Sequence, residues 1–201
     1  MKTVTGLFDD HADARAAVTA LEDCGVPSDD ISIVSNNAGD RYGSADDSNA
    51  AESAGTGAGI GAAVGGVGGL LTGLGVMAIP GVGPVVAAGW LAATAAGAAA
   101  GAVTGGAAGG IIGAMTDAGV PEEHAHVYAE GVRRGGAVVT ARVDNAVYAD
   151  AEAILRRGSW VDPVQRRASY SEQGWASFDE LRDPYTADEI EKERLRLESM
   201  R

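Results

Sequence analysis

The sequence predicts an α+β fold made of two similar halves, residues 2–35 and 119–165, with a separate segment between them. Two observations support this division. No Asp, Glu, Lys or Arg occurs between Glu52 and Asp117, whereas charged residues are frequent on both sides of that block. A strand pattern, an acidic residue, an Ala-rich helical pattern and a Gly also follow one another in both halves. The uncharged block is therefore interpreted as an insertion into one domain.

The first half contains the signals of a strand, a helix and a second strand. Apolar and polar residues alternate over residues 3–8, which is typical of a strand. Asp10 is a suitable N-cap for the helix that follows, and Gly25 is a suitable C-terminal stop. The turn Pro27–Asp30 then precedes a short strand that starts at Ile31. Residues 2–35 are therefore predicted to form a β-α-β unit.

The second half repeats this pattern after one additional helix. That helix is predicted between Pro121 and Gly135, with Glu residues in its first turn and Arg residues in its last. A strand over residues 138–143, an acidic cap at Asp144 and a helix over residues 147–155 follow. Trp160–Val164 is predicted to be a short edge strand, because Pro163 has no backbone N–H to donate. The two halves together predict a split ferredoxin-like domain.

Two polar segments flank these elements. Residues 36–52 are rich in Asn, Asp, Ser and Gly, which predicts a flexible acidic linker. Residues 166–201 are predicted to be a polar C-terminal extension that is mobile up to residue 184. It ends in a helix over Ala187–Met200, because Thr186 and Glu189 have the spacing of a capping box.

The uncharged block, residues 53–118, contains two series of glycines at every fourth position. The series are Gly57, Gly61, Gly65, Gly69 and Gly73, and Gly97, Gly101, Gly105, Gly109 and Gly113. Residues four apart lie near one another on a helix, so each series predicts a smooth strip where two helices approach closely. Between the series lie the turn residues Pro80, Gly81, Gly83 and Pro84. The block is therefore predicted to be a helical hairpin of the glycine-zipper type, with arms Ala54–Ile79 and Val85–Met115.

Two environments are compatible with such a hairpin. The arms would be about 39 and 46 Å long, and a bilayer core is about 30 Å thick, so their length permits spanning. The second arm is weakly apolar, since Val103 is its only large residue between Ala92 and Gly110. The flanking charges are acidic and give no positive-inside signal, although Trp90 lies near the tip as an interface residue. A soluble hairpin that buries its glycines between arms or between copies is the alternative.

Composition and motifs exclude most chemical functions. The net charge of −13 argues against a nucleic-acid partner, because phosphate contacts need clustered Lys and Arg. The loose nucleotide-like pattern Gly73–Ala78 has no preceding strand and no acidic residue about twenty positions later. His124 and His126 point in different directions on a helix, and His11 beside a helix cap is expected to be solvated. No catalytic, cofactor or metal site is therefore predicted.

Several segments resemble the general stress protein 17M-like family, also called heat-induced stress protein domains. They are the opening strand Val4–Asp9, the segment Asp29–Val34, the turn region Ala78–Pro84, and the helix ends Val120–Glu123 and Glu130–Gly136. The resemblance covers residues 3–165. It implies a bacterial or archaeal stress-associated protein without an assigned catalytic site.

The expected function is therefore non-enzymatic. The hairpin, residues 53–118, is expected to mediate homo-oligomerisation, attachment to a lipid bilayer, or both. The first residues lack a basic region followed by an apolar stretch, so we expect a cytoplasmic protein without a secretory signal. The alternative is a soluble ferredoxin-like domain that senses a ligand or the redox state, through Cys24 or the face of the sheet.

Overall fold

A computed structural model describes residues 1–42, 75–94 and 110–200 of the protein. Its strands are β1 (Lys2–Phe8), β2 (Ile31–Asn36), β3 (Gly75–Ile79), β4 (Gly83–Gly89), β5 (Ala137–Val143) and β6 (Trp160–Val161). Its helices are α1 (His11–Asp23), α2 (Gly110–Asp117), α3 (Glu122–Arg133), α4 (Tyr148–Leu155), α5 (Pro163–Ser171) and α6 (Ala187–Glu198). A 3-10 turn at Ser28–Asp30 precedes β2, and residues 90–94 are helical after β4.

The strands form one sheet in the order β3-β4-β2-β5-β1-β6, and all neighbouring strands are antiparallel. β5 comes from the second half of the chain and lies between β1 and β2 of the first half. β6 lies at one edge of the sheet, as predicted, although it is only two residues long because Pro163 begins α5. The two halves are therefore joined in a single antiparallel sheet, in a fold of mixed α and β structure.

Helices cover both faces of the sheet. On one face, α1 and α4 bury their apolar residues against β1, β2 and β5, with Phe8, Ile33 and Val139 at the centre. On the other face, α2 and α3 pack over β2, β4 and β5, around Val34 and Val138. Every residue of β2 is buried as a result. The sheet is the middle of three layers.

The predicted helical hairpin is wrong over residues 75–89, which form the two-stranded β-hairpin β3–β4. The turn at Pro80, Gly81, Gly83 and Pro84 is present, but it joins strands: Ile79 pairs with Gly83 across it. β4 pairs with β2 over five residues, which supplies backbone hydrogen bonds that no local pattern reveals. The arms Ala54–Ile79 and Val85–Met115 are therefore not continuous helices.

The described parts of the segment 53–118, residues 75–94 and 110–118, contribute to the core. Ile79, Val85, Leu91, Ile111 and Met115 are all buried in the layer formed by α2 and α3. Nine of the predicted zipper positions lie outside the described residues: Gly57, Gly61, Gly65, Gly69, Gly73, Gly97, Gly101, Gly105 and Gly109. The tenth, Gly113, lies in α2 and is half-buried, so the chain is helical there.

The predicted mobile extension over residues 166–184 is wrong. α5 runs to Ser171, and Tyr170, Trp175 and Phe178 are all buried. These aromatic rings bury enough apolar surface to hold a segment whose overall composition is polar. The terminal helix is confirmed as α6, with the predicted capping box formed by Thr186 and Glu189. The C-terminal segment, defined here as residues 163–200, is therefore a docked part of the domain.

The predicted linker, residues 36–52, is ordered at its start. The side chain of Asn36 accepts a hydrogen bond from the backbone of Ala38, and that of Asn37 accepts one from the backbone of Tyr42. These are the local side-chain contacts that Asn makes in turns. They fix residues 36–42 against the end of the sheet, while residues 43–52 lie outside the described part of the chain.

Candidate functional site

An enclosed polar cavity of about 130 Å³ lies beneath the C-terminal segment. It lies where β1 leads into α1, where α3 ends, and where α5 and α6 cross over both. Among its lining residues are Asp9, His11, Tyr42, Arg134, Arg166 and Tyr170, together with the rim residues Arg41 and Arg194. We call this cavity the arginine pocket, because four of the thirteen arginines of an acidic chain line it.

The start of α1 forms one wall of the arginine pocket. Asp10 is the N-cap, as predicted, and accepts a hydrogen bond from the backbone of Ala12 at 2.6 Å. His11 is buried, which corrects the expectation that it is solvated. Its Nδ1 lies 2.7 Å from Ser35 Oγ, and its ring lies on that of Tyr42 at 4.2 Å between centroids.

Its environment favours the neutral form of the His11 imidazole. Burial and the charge of Arg15 lower the pKa of His11, and the nearby carboxylate of Asp10 offsets this only in part. Ser35 is 1% exposed, so its hydroxyl cannot reach a substrate despite its short contact with a histidine. The Ser35–His11 pair is therefore a structural hydrogen bond and not a nucleophile with its base.

The end of α3 carries a buried ion-pair network. Glu130 is fully buried, and its carboxylate lies 2.7 Å from Arg134 Nε and 3.4 Å from Arg133 Nη1. Arg134 also contacts Glu193 of α6 at 3.2 Å and Gln173 at 2.9 Å. The sequence predicted both arginines only as charges that suit a helix C-terminus, whereas they also link α3 to the C-terminal segment.

A second buried pair closes the other side of the arginine pocket. Arg166 of α5 donates two hydrogen bonds to the carboxylate of Asp9, at 2.7 and 2.9 Å. Beside it, Tyr170 is fully buried and its ring lies 4.1 Å from the guanidinium of Arg134. Burial raises the pKa of Tyr170 to about 12, against the opposing charges of Arg166 and Arg134. Its hydroxyl therefore stays protonated at neutral pH.

The charged groups of the arginine pocket already have partners. Each arginine of the pocket contacts a carboxylate, and Asp10 caps the start of α1. The pocket combines these paired guanidinium and carboxylate groups with aromatic rings in a small enclosed volume. It also lies at a junction that closes only when the C-terminal segment is docked.

The residues that the sequence considered for chemistry lie elsewhere. His124 and His126 are 3.9 and 3.8 Å from Glu123 and Glu122 respectively, as two separate contacts on α3. Within the described ranges, no three His, Cys, Asp or Glu residues are grouped in a way that could hold a metal ion. Cys24 is the half-buried C-cap residue of α1.

The C-terminal segment should dock less firmly in acid. Burial by itself would raise the pKa of Glu193, but hydrogen bonds and charges from Arg196 and Arg134 outweigh it and lower that pKa. A carboxylate with a lowered folded-state pKa stabilises the fold above the unfolded value, near pH 4.3, and this stability is lost as pH falls through the folded value. Urea unfolding between about pH 6 and 3 should therefore show that the free energy of unfolding falls more steeply with decreasing pH in the wild type than in Glu193→Gln. Glu123→Gln, an exposed change, should keep the wild-type slope, and equal slopes for all three would contradict this assignment.

None of the helices in the described ranges has both the length and the apolar character that crossing a bilayer requires. No family model, no curated protein and no solved structure matches the chain.

Proposed function

We propose that the chain is a non-enzymatic, stress-associated protein in which a split ferredoxin-like domain carries glycine-rich segments that mediate association. The strand order β2-β5-β1-β6, with α1 and α4 on one face, supports the ferredoxin-like part of this proposal. The other part rests on the glycine series at residues 57–73 and 97–113. The occupant of their surface is a second copy of the chain or a lipid bilayer.

The position of the β3–β4 hairpin is the observation that carries the proposal. β3 is the outermost strand of the sheet, on the side opposite β6. One glycine series directly precedes β3, and the other follows the helical residues 90–94 after β4. The β2-β5-β1-β6 part of the sheet is formed without either series. The proposal is that the glycines of both series make contacts with a second copy or a bilayer.

Energetics explain why association is expected of these segments. A Gly in a helix exposed to water costs about 1 kcal/mol relative to Ala, so ten such residues need compensation. Close contact between helix backbones provides it, because a Gly strip lets two helices approach within van der Waals distance. Gly113, the last position of the second series, lies in the helix α2, which fits this interpretation.

Leucine at a central glycine position should weaken the assembly. Gly101→Leu or Gly105→Leu adds a side chain where two backbones are proposed to meet, and overpacking costs about 1–3 kcal/mol per site. Ala99→Leu adds an equally large side chain away from the series and serves as the control. Light scattering after gel filtration, in buffer and in detergent, measures the oligomeric state. The fraction of protein that stays in the membrane pellet after a carbonate wash measures membrane attachment. A wild type that is monomeric in both solvents and indifferent to leucine at 101 or 105 would contradict the proposal.

Ligand or redox sensing is the second candidate function. The arginine pocket favours it, because a molecule bound there would contact the core and the C-terminal segment together. A signal could then be transmitted as a change in docking of that segment. If Cys24→Ser or a change in the arginine pocket alters a stress phenotype while Gly101→Leu and Gly105→Leu do not, sensing replaces association as the function.

A further inference from the structure

The outer edge of β1 is only partly paired. β1 pairs with β5 along all seven of its residues, but with β6 only at Leu7 and Phe8. No strand within the described ranges pairs with the outer edge of Lys2–Gly6. Alternate residues of a strand direct their N–H and C=O groups toward each neighbour, so this edge presents donors and acceptors that an added strand would satisfy.

This open edge forms the floor of a groove of about 380 Å³ between the two helical layers. Thr3, Val4 and Thr5 of β1 line the floor. On the side of α3 the groove is lined by His124 and Tyr128. The edge is therefore recessed between walls and is not a flat rim of the sheet. We call this site the β1 groove.

The opposite wall of the β1 groove carries Tyr148 and Leu155 of α4 and Trp160 of β6 beside the charged residues Glu152 and Arg156. Tyr148, Leu155 and Trp160 belong to the same core layer as Val4. Side chains on adjacent strands share a face of the sheet, so a residue placed beside Val4 on an added strand would point at this wall. An apolar side chain would fill that place.

Charged side chains around this wall already contact one another or its aromatic rings. Glu152 and Arg156 form an ion pair at 2.8 Å, and Arg156 also lies over the ring of Trp160 at 5.2 Å. Lys2 lies over the ring of Tyr148 at 4.7 Å. A charged side chain directed at the wall would therefore find no free partner among these groups. Charge matching strengthens the preference for an apolar residue beside Val4.

The groove begins where the chain's own strand leaves the edge. β6 is antiparallel to β1 at Leu7 and Phe8, and Pro163 then starts α5 and turns the chain away. Val164, in the first turn of α5, is left 66% exposed at the mouth of the groove. β6 thus shows the direction in which a longer strand would continue along Lys2–Gly6.

We propose that the β1 groove binds an extended peptide segment of a partner protein, antiparallel to β1, with an apolar side chain beside Val4. Main-chain hydrogen bonds give such strand addition its affinity, and the side-chain pocket gives its selectivity. A second copy of this domain does not fit, because its β1 lies on an equally recessed floor. The walls of both copies would keep the strands farther apart than the roughly 4.8 Å of a sheet. This inference is independent of the glycine-rich segments.

Blocked, fluorescently labelled pentapeptides test the proposal on the full chain. The probes have the sequence Thr-Thr-Xaa-Thr-Thr, in which Xaa is each amino acid in turn, and fluorescence anisotropy measures binding. We expect saturable binding that is strongest for large apolar or aromatic Xaa. The best binder with alternate backbone nitrogens methylated should lose about tenfold or more in affinity, because it cannot form the edge hydrogen bonds.

A matched pair of variants locates the binding site. Val164→Asp should weaken the best probe by about tenfold, because it replaces an exposed apolar side chain at the mouth of the groove with a hydrated carboxylate. Leu181→Asp, at a residue 94% exposed outside the groove, should leave binding unchanged. The proposal is overturned if no probe binds saturably, or if methylated probes bind as well. It is also overturned if Val164→Asp leaves peptide binding unchanged. The same holds if the wild type is a dimer that Val164→Asp dissociates while peptide binding stays the same.

Discussion

Replacement of Glu130 by Gln should lower the free energy of unfolding by about 3–5 kcal/mol. The Glu130 side chain is 1% exposed and is the carboxylate shared by Arg133 and Arg134, which are buried almost as deeply. Gln keeps the shape but removes the charge, so buried Arg133 loses the carboxylate that it contacts and buried Arg134 retains only Glu193. Urea unfolding followed by circular dichroism at neutral pH measures the effect.

Glu152→Gln is the matched control for this experiment. Glu152 and Arg156 have the same helical spacing as Glu130 and Arg134, and nearly the same distance, 2.8 against 2.7 Å. Their side chains are 40% and 58% exposed, so water screens the pair and its loss should cost less than about 1 kcal/mol. Equal losses for both variants would show that burial of the network does not determine its contribution.

Local signals in the sequence were sufficient to predict most helices and strands of the two halves. The N-cap at Asp10 and the capping box at Thr186 are made by residues within three positions of one another, and both are confirmed. Gly25 and Gly135 both have positive φ, at 91° and 106°, and each follows a helix that ends where the sequence placed it. These features depend only on interactions between residues that are close in the sequence, so the sequence alone is enough to predict them.

The β3–β4 hairpin could not be predicted in the same way. Gly, Ala and Val at residues 75–89 are compatible with a tightly packed helix as well as with a buried strand. The glycine series on either side therefore led to helices being predicted through these residues. Residues 83–89 form a strand because they pair with the edge of β2, where Ser35 pairs with Val86 and Asn36 with Val85. That edge exists only after the sheet has formed, and no local pattern reports it.

The arginine pocket was missed for a related reason. Asp9 and Arg166 are 157 positions apart in the chain, and Arg134 and Glu193 are 59 apart. Glu130 and Arg134 did have a recognisable helical spacing, but the same spacing occurs in the exposed pair at Glu152. Spacing identifies an ion pair, and only the tertiary structure decides whether it is buried.

Removal of the C-terminal segment beyond Gln173 should have the largest effect on stability. Trp175, Phe178 and Ile190 are each at most 6% exposed, and the loss of these three buried side chains costs roughly 5–9 kcal/mol. A domain of this size is stable by about 5–15 kcal/mol, so the truncated chain should be largely unfolded or loosely packed. Circular dichroism during thermal unfolding is the measurement, and a sharp transition near the wild-type midpoint would contradict the docking of this segment.

A single substitution separates docking from other effects of truncation. Phe178 lies in the core layer of α2 and α3, beneath the turn of the β3–β4 hairpin. Gly81 in that turn has a φ of 71°, and a Cβ there would lie 2.7 Å from the Cα of Glu180, so the segment passes close to the turn backbone. Phe178→Ala should therefore cost about 3–5 kcal/mol, whereas Leu181→Ala, at an exposed side chain three residues later, should change stability by less than about 0.5 kcal/mol. Since the two positions are neighbours on one segment, a similar small effect at both would mean that the segment does not stabilise the hairpin edge from which the glycine series extend.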